Sequence, residues 1–485
     1  MSSRLLANVK AEFAGRIVHV AISGILLLVL TRVLGPEGYG LFALALAVIT
    51  VSRLFSEFGL PWSAARYIVE YKDDEPRKAA AVVAESRTLV LAFAAVVSVA
   101  LAALSGPISS VIGEPRLASV LVVGSGIVFC YTVHSYNRHV LQGYENITAS
   151  AALHAVEGLF TLVLVIGLLV VDPTPSMAVL GYAVGYGLAA AIGFVAVRQT
   201  APAETAILER GAIRREILRY SVPLTVTRFS EMIDREVDVL LVGFFINPTA
   251  VAFYTLGKQI SQFATVPAAS IGFALSPTYG AQKSTGDVRA ATAVFQETLE
   301  KTLAFYVPAA AGLFVLAGTA IPLIFGAEYA GAVLVVQLMS VFILFAALSN
   351  ISNHAIDYLG RARSQAALIA TASLGNFVLN VALIPPFGAA GAAVASVLTT
   401  GFYALGSLYI MYTELPFDRR SVARSLLTIS SVTVAMVAVV SVVVSTLSGV
   451  PAVVVGVAAG VGVWLLGCHY LDVLDVRRAV GSLAG

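Results

Sequence analysis

The densest run of charge in an otherwise apolar chain is Arg228, Glu231, Asp234, Arg235, Glu236 and Asp238. At about 100° per residue, Arg228, Glu231, Arg235 and Asp238 share one helical face, with Asp234 at its edge and Glu236 off it. The stripe is partly self-neutralising, because Glu231 precedes Arg235 at i, i+4 and Arg235 reaches Asp238 at i+3. Two arginines against four acids still leave two negative charges, and Asp234 and Asp238 are like charges one turn apart. Neighbouring carboxylates ionise together only with a cation beside them, which makes Glu231, Asp234 and Asp238 candidates for coupling to Na+ or H+. An ionised side chain at the centre of a bilayer costs roughly 2.5–3.5 kcal/mol. A spanning helix must therefore turn such a stripe toward a polar interior; the alternative is an amphipathic helix lying outside the membrane.

Other charges fall inside apolar stretches. Arg16, His19 and Ser23 share a face near the start of the chain, where Arg16 either snorkels to headgroups or lines a cavity. Arg53 and Glu57 stand at i, i+4, an arrangement open to an internal ion pair or a substrate contact. Lys258 has no acid nearby in its own segment and needs a partner from another helix, a lipid phosphate or a substrate. Asn350, Asn353, His354 and Asp357 share one face, as do Asn376 and Asn380; such groups stitch helices together or line a polar path. His134, Arg138 and His139 close an apolar segment and are expected to face headgroups, while His154 and Glu157 form a local pair or a minor part of a cavity. No Walker motif, metal-spaced His/Cys set or nucleophile elbow occurs, so neither catalysis nor a metal or cofactor site is expected.

The elements that position these residues are set by composition. The chain has 485 residues, 58% hydrophobic and 12% charged, against about 25% charged in soluble domains. That composition indicates an all-α polytopic membrane protein. A net charge of +2 argues against a nucleic-acid partner. Cys130 and Cys468 both lie in apolar runs and read as packing residues. The basic N-terminus with the apolar run Ile17–Leu34 reads as a first anchor. Hydropathy predicts about 14 transmembrane helices, including spans over 15–34, 41–60, 219–246, 250–276, 364–386 and 388–411. Arg66, Lys72, Arg77 and Lys78, then Arg210, Arg214, Arg215 and Arg219, then Arg361 and Arg363, mark one set of loops, whereas the opposite set holds little beyond Arg116. By the positive-inside rule both termini are cytoplasmic, at the cell membrane. The outer connections are too short to hold an extracellular active site. The sequon-like Asn146-Ile-Thr and Asn350-Ile-Ser fall on an inner loop and within a helix.

An internal repeat orders the spans. Pro36 aligns with Pro248, Arg16 with Arg228 and Pro173 with Pro385, each pair 212 residues apart (248 minus 36, 228 minus 16, 385 minus 173). The implied organisation is a six-helix bundle over 1–200, a cytoplasmic linker over 201–218, a second six-helix bundle over 219–411, and two further helices with a short tail over 412–485. Even-numbered halves make the repeats parallel, and the charged stripe becomes the first helix of the second half.

Three stretches carry a family resemblance: TRVLGPEGYGLFALA at Thr31–Ala45, Tyr-Ser-Val-Pro at Tyr220 followed by Asp-Val-Leu-Leu-Val-Gly from Asp238, and IPPFGAAGAAVAS at Ile384–Ser396. In order and with the helix count, they resemble the polysaccharide-export branch of the multidrug/oligosaccharidyl-lipid/polysaccharide (MOP) superfamily. The resemblance implies two pseudo-symmetric bundles around a central cavity and a flippase for lipid-linked oligosaccharide. Its partners would be that substrate, membrane lipids and glycan-assembly enzymes. In related lipid-precursor flippases, basic residues on the first, second and eighth helices engage a diphosphate. Arg16, Arg53 and Lys258 are the nearest counterparts here, with Arg228 and Arg235 added to them. The acids of the seventh helix exceed what a purely cationic cavity holds and leave the coupling ion open. A multidrug antiporter of the same superfamily is the alternative. A polymerase or glycosyltransferase would need substantial outer loops or a nucleotide-sugar site.

Overall fold

A computed structural model describes residues 3–201, 210–284 and 287–470. The side chains of Arg16, His19, Glu231, Asp234 and His354 lie outside the described residues. Every regular element among those described is helical: α1 (Ser3–Glu57), α2 (Leu60–Tyr71), α3 (Pro76–Ile112), α4 (Leu117–Gly143), α5 (Ile147–Val171), α6 (Pro175–Thr200), α7 (Arg210–Phe245), α8 (Pro248–Ser284), α9 (Val288–Phe325), α10 (Val333–Tyr358), α11 (Ala362–Glu414), α12 (Arg419–Thr446) and α13 (Gly449–Tyr470). Ten helical stretches among the described residues are long and apolar enough to cross a membrane. Two of them hold a pair of expected spans. In α1 the break is Gly35, at φ 65°, followed by Pro36; in α11 it is Gly388, at φ 58°, preceded by Pro385 and Pro386. A positive φ suits glycine, and proline withdraws a ladder donor, so the chain reverses at these points. The helix α7, with its charged stripe, is not among the ten.

The chain forms two compact units, Met1–Ala252 and Phe253–Gly485. In the first, α6 packs on α4 and α5 through glycines. A Cβ at Gly181 would stand 2.8 Å from Val165 Cα, and one at Gly185 2.9 Å from Thr161 Cα, so only hydrogen fits between these backbones. Small residues at such crossings are how spanning helices gain close contact when lipid is as apolar as leucine. Large apolar side chains such as Val99, Val170 and Val171 are exposed, while Ser56, Ser86, Thr132 and Asn137 are buried. Ser56 and Thr132 hydrogen-bond at 2.7 Å, and the Asn137 amide donates to the Ala190 carbonyl at 2.9 Å. Polar glue inside and apolar side chains outside is the arrangement a bilayer selects.

Two features differ from the sequence expectation. The loop expected after the second span contains α2, started at Phe58 and Gly59 by φ of 44° and 67°. Its buried Leu60, Ala64, Tyr67 and Ile68 share a core with Tyr136, Val140 and Leu141 of α4. Its charges at Arg66 and Glu70 masked an amphipathic face. The second difference is that α7 begins at Arg210, inside the stretch expected as linker, and packs on α1, α2 and α3 within the first unit. Ser63 donates to the Ile217 carbonyl at 3.2 Å and the Tyr71 hydroxyl to Glu216 Oε1 at 2.9 Å, fixing the start of α7 beside α2.

In the second unit, Tyr279, Phe295, Ile351, Ile356 and Phe417 build the main core. The Tyr306 hydroxyl of α9 accepts from Ala268 N–H at 3.1 Å and donates to the Ala264 carbonyl at 3.0 Å. It thus inserts between two groups that pair with each other in a straight helix, one residue after Pro267. Asn376 donates to Thr399 at 3.2 Å and Asn380 to Asn376 at 2.8 Å, tying the two arms of α11 across Gly388.

Candidate functional site

Within the first unit, α1, α4, α5, α6 and α7 bring polar side chains to one region. The second arm of α1 carries Arg53 and Glu57 one turn apart. The Arg53 guanidinium lies over the Tyr131 ring, 3.0 Å from its centroid. Tyr131 meets Tyr186 edge-on at 5.0 Å. Glu57 is buried and within electrostatic reach of both Arg53 and Arg228, with the Ser135 hydroxyl beside it. Arg228 of α7 lies 4.7 Å over the Trp62 ring, which in turn meets His139 edge-on at 4.8 Å. His139 donates from Nδ1 to the Ser135 carbonyl at 2.8 Å. An oxyanion that engages these guanidinium groups would compete with the charge of the buried Glu57.

The expected site residues are distributed unevenly. Arg53, Glu57 and Arg228 come together in the first unit. Asp238 of α7 is buried and Arg235 is exposed on the same helix. Lys258, in the second unit, stands 5.9 Å from the Tyr254 ring, whose hydroxyl hydrogen-bonds Ser396 at 3.0 Å. Asp357 is exposed at the end of α10. Arg16, Glu231, Asp234 and His354 are expectations whose side chains fall outside the described residues.

The expectation that His134 faces headgroups is corrected: the residue is 1% exposed. The reason is the packing of α5 and α6 on α4, which sets His154, Glu157 and Tyr186 against it. His134 packs 6.0 Å from the Tyr186 ring. His154 and Glu157 of α5 form the local pair, 3.3 Å apart, with Glu157 buried. Tyr131 and Tyr186 were not singled out by sequence reasoning. The signal was there for Tyr131, which shares a helical face with His134 and Arg138 at i, i+3 and i+7.

A model of the family described as polysaccharide biosynthesis protein matches residues 5–281, more than half of the chain. The chain belongs to that family. A MatE model matches residues 223–383. Residues of a probable low-salt glycan biosynthesis flippase from Haloferax volcanii are 21% identical over 185 positions, covering 38% of this chain and 39% of that relative. Among solved structures, the family member resembles a lipid II flippase, MurJ, in an inward closed conformation, with TM-score 0.73 and 13% identity over 96% of this chain and 98% of that one. It also resembles an inward-facing multidrug resistance MATE family transporter of the MOP superfamily, with TM-score 0.65 and 14% identity over 82% and 98%. A MOP superfamily transporter from Pyrococcus furiosus follows at TM-score 0.55 and 15% identity over 84% and 95%. The fold of this family member is that of the MOP superfamily, as its three resembling stretches implied, and it is a multi-pass membrane protein.

Proposed function

We propose that the protein is a flippase that moves an anionic, polyprenyl-type lipid-linked oligosaccharide from the inner to the outer leaflet by alternating access. The observation that carries this reading is that two guanidinium groups, Arg53 and Arg228, both lie within electrostatic reach of the buried Glu57 in a polysaccharide biosynthesis family member. A phosphate or diphosphate offers those arginines a better partner than a single carboxylate. Hydrocarbon blocks the polar head of such a substrate, whereas its lipid tail can stay in the bilayer throughout. The likeness to the lipid II flippase and to the probable glycan flippase supports the same class of cargo. Fourteen crossings follow when α1 and α11 are each counted twice at their glycine breaks and α7 and α8 are added to the remaining eight spanning helices. Lys258, Arg16 and Arg235 belong to the same cationic set in this reading, and Asp238 with Glu231 and Asp234 to the coupling by Na+ or H+.

The test is deletion of the gene followed by measurement of lipid-linked glycan in each leaflet. Accumulation on the inner leaflet, reversed by the intact gene, is the expected result; an unchanged distribution would overturn the reading. The MatE match over 223–383 favours one second reading, a multidrug or cation antiporter in which Glu231, Asp234 and Asp238 bind cationic compounds. Deletion would then sensitise cells to cationic drugs and leave the glycan unchanged.

A further inference from the structure

Behind Arg53 and Tyr131, the facing sides of α4 and α5 carry a second cluster that anion binding does not use. His134, His154 and Glu157 each offer one ligand atom, and these atoms all lie within 4.8 Å of one another. His154 Nδ1 and Glu157 Oε2 are already 3.3 Å apart. That is roughly the ligand-to-ligand spacing of a tetrahedral zinc site, whose bonds are about 2.0–2.2 Å. The sequence shows no metal-spaced set because the ligands come from two helices, with only His154 and Glu157 at the i, i+3 spacing that places a pair on one face.

His134 supplies the independent sign of a ligand. It is 1% exposed, and neither ring nitrogen has a hydrogen-bond partner. Buried polar groups are almost always satisfied, since leaving one unpaired forfeits the hydrogen bonds it made in water. The carboxylate is held in place for the purpose: Thr161 donates to Glu157 Oε1 at 3.3 Å, which leaves Oε2 toward His154. An outer hydrogen bond of this kind orients a metal-ligating carboxylate.

We infer that His134, His154 and Glu157 bind a divalent transition-metal ion of the zinc class, joining α4 to α5. Donor chemistry selects the ion. Two imidazoles suit Zn2+, Co2+, Ni2+ or Cu2+, whereas Na+, Mg2+ and Ca2+ prefer all-oxygen shells. Charge does not forbid it. Arg53 and Arg138 lie within electrostatic reach of His134 and oppose a cation, but Glu157 is in the shell itself and Glu57 stands beside Arg53. The competing occupant is a proton shared by His154 and Glu157.

The inference is tested on purified, tag-free protein titrated with Co2+, whose visible absorption reports a low-symmetry nitrogen and oxygen shell. The expected result is a band that saturates at one Co2+ per chain and is displaced by Zn2+. His134→Gln and His154→Gln should each abolish it. Thr161→Val should weaken affinity about tenfold, as loss of an outer partner does. His139→Gln should leave the band intact, because that ring is engaged by Ser135 and Trp62. Absence of a saturable band in the unaltered protein overturns the proposal without recourse to any variant and leaves the proton as occupant. A band that survives both His134→Gln and His154→Gln overturns it as well.

Discussion

At the scale of single residues, the chemistry turns on how few charges sit in hydrocarbon and what each one faces. Arg228 stands on the charged stripe, over Trp62 and within reach of Glu57. Arg228→Ala should cut glycan flipping by roughly tenfold or more, since one charge-assisted hydrogen bond is worth about 1.5–3 kcal/mol, while the protein remains inserted and abundant. Normal transport by Arg228→Ala and by Lys258→Ala, followed as glycan reaching the outer leaflet, would remove these cations from substrate binding. Asp238 is buried on the same helix, and Asp238→Asn separates two roles. If it couples an ion, the pH or Na+ dependence of transport weakens more than substrate binding; if it is a structural partner, melting temperature falls and the ion dependence persists. Outside the spanning segments, Arg116 holds Glu37 at 2.6 Å and Glu114 at 2.9 Å. That guanidinium lowers the Glu114 pKa below its ordinary value. A depressed carboxylate contributes stability above its unfolded pKa and loses it as pH falls through the folded one. Arg116→Gln should therefore destabilise the protein at neutral pH by about 1 kcal/mol or less, the pair being partly exposed. In thermal melts the difference should shrink as pH falls below the ordinary carboxylate range toward the lowered pKa of Glu114.

At the scale of helices, contact is decided by glycine. Gly185→Leu must push α6 off the Thr161 backbone and should cost roughly 1–3 kcal/mol, as overpacking does. Gly167→Ala, on the open side of α5 with no atom in range, should instead raise stability by about 0.5–1 kcal/mol, the helix-propensity difference. Thermal unfolding in detergent checks both, and equal effects would mean that the α5–α6 crossing is not glycine-dependent. This level was legible in the chain to differing degrees. Hydropathy locates most helices because bilayer thickness imposes a length, and the prolines at Pro36 and Pro385 mark both reversals. It did not find α2, because a short helix with Arg66 and Glu70 on its outer face reads as a charged loop when its partner is unknown. That Arg53 and Arg228 both face Glu57 electrostatically was equally hidden, since helix spacing relates neighbours on one helix and says nothing of which helices meet.

At the scale of the molecule, the repeat and the packing divide the chain at different places. The 212-residue offset puts α7 at the head of a second half, yet the compact unit that contains α1 runs to Ala252 and includes α7. The offset is an expectation from spacing, whereas compactness records which faces are buried together, and α7 buries Ile213 and Ile217 in the core that holds Leu60 and Tyr67. Orientation is a prediction at this scale too. With Cys130 and Cys468 changed to alanine, Pro115→Cys should react with an impermeant thiol reagent in intact cells, and Asp74→Cys only after lysis. Both positions are exposed between helices. The reverse pattern would invert the protein and place the Lys/Arg-rich loops outside.

Gly40 carries one more consequence. A Cβ there would stand 1.7 Å from the carbonyl oxygen of Pro248, so the two backbones touch. The seat for one of the first segments made is thus supplied by one of the last segments of its unit. At about 5–20 residues per second, the ribosome needs roughly 10–40 s to travel from one to the other. Throughout that interval the arm of α1 after Gly35 is in the membrane without its final neighbour, and the insertion machinery or lipid must occupy the gap. Birth order, rather than final stability, then sets when this protein is most exposed to quality control.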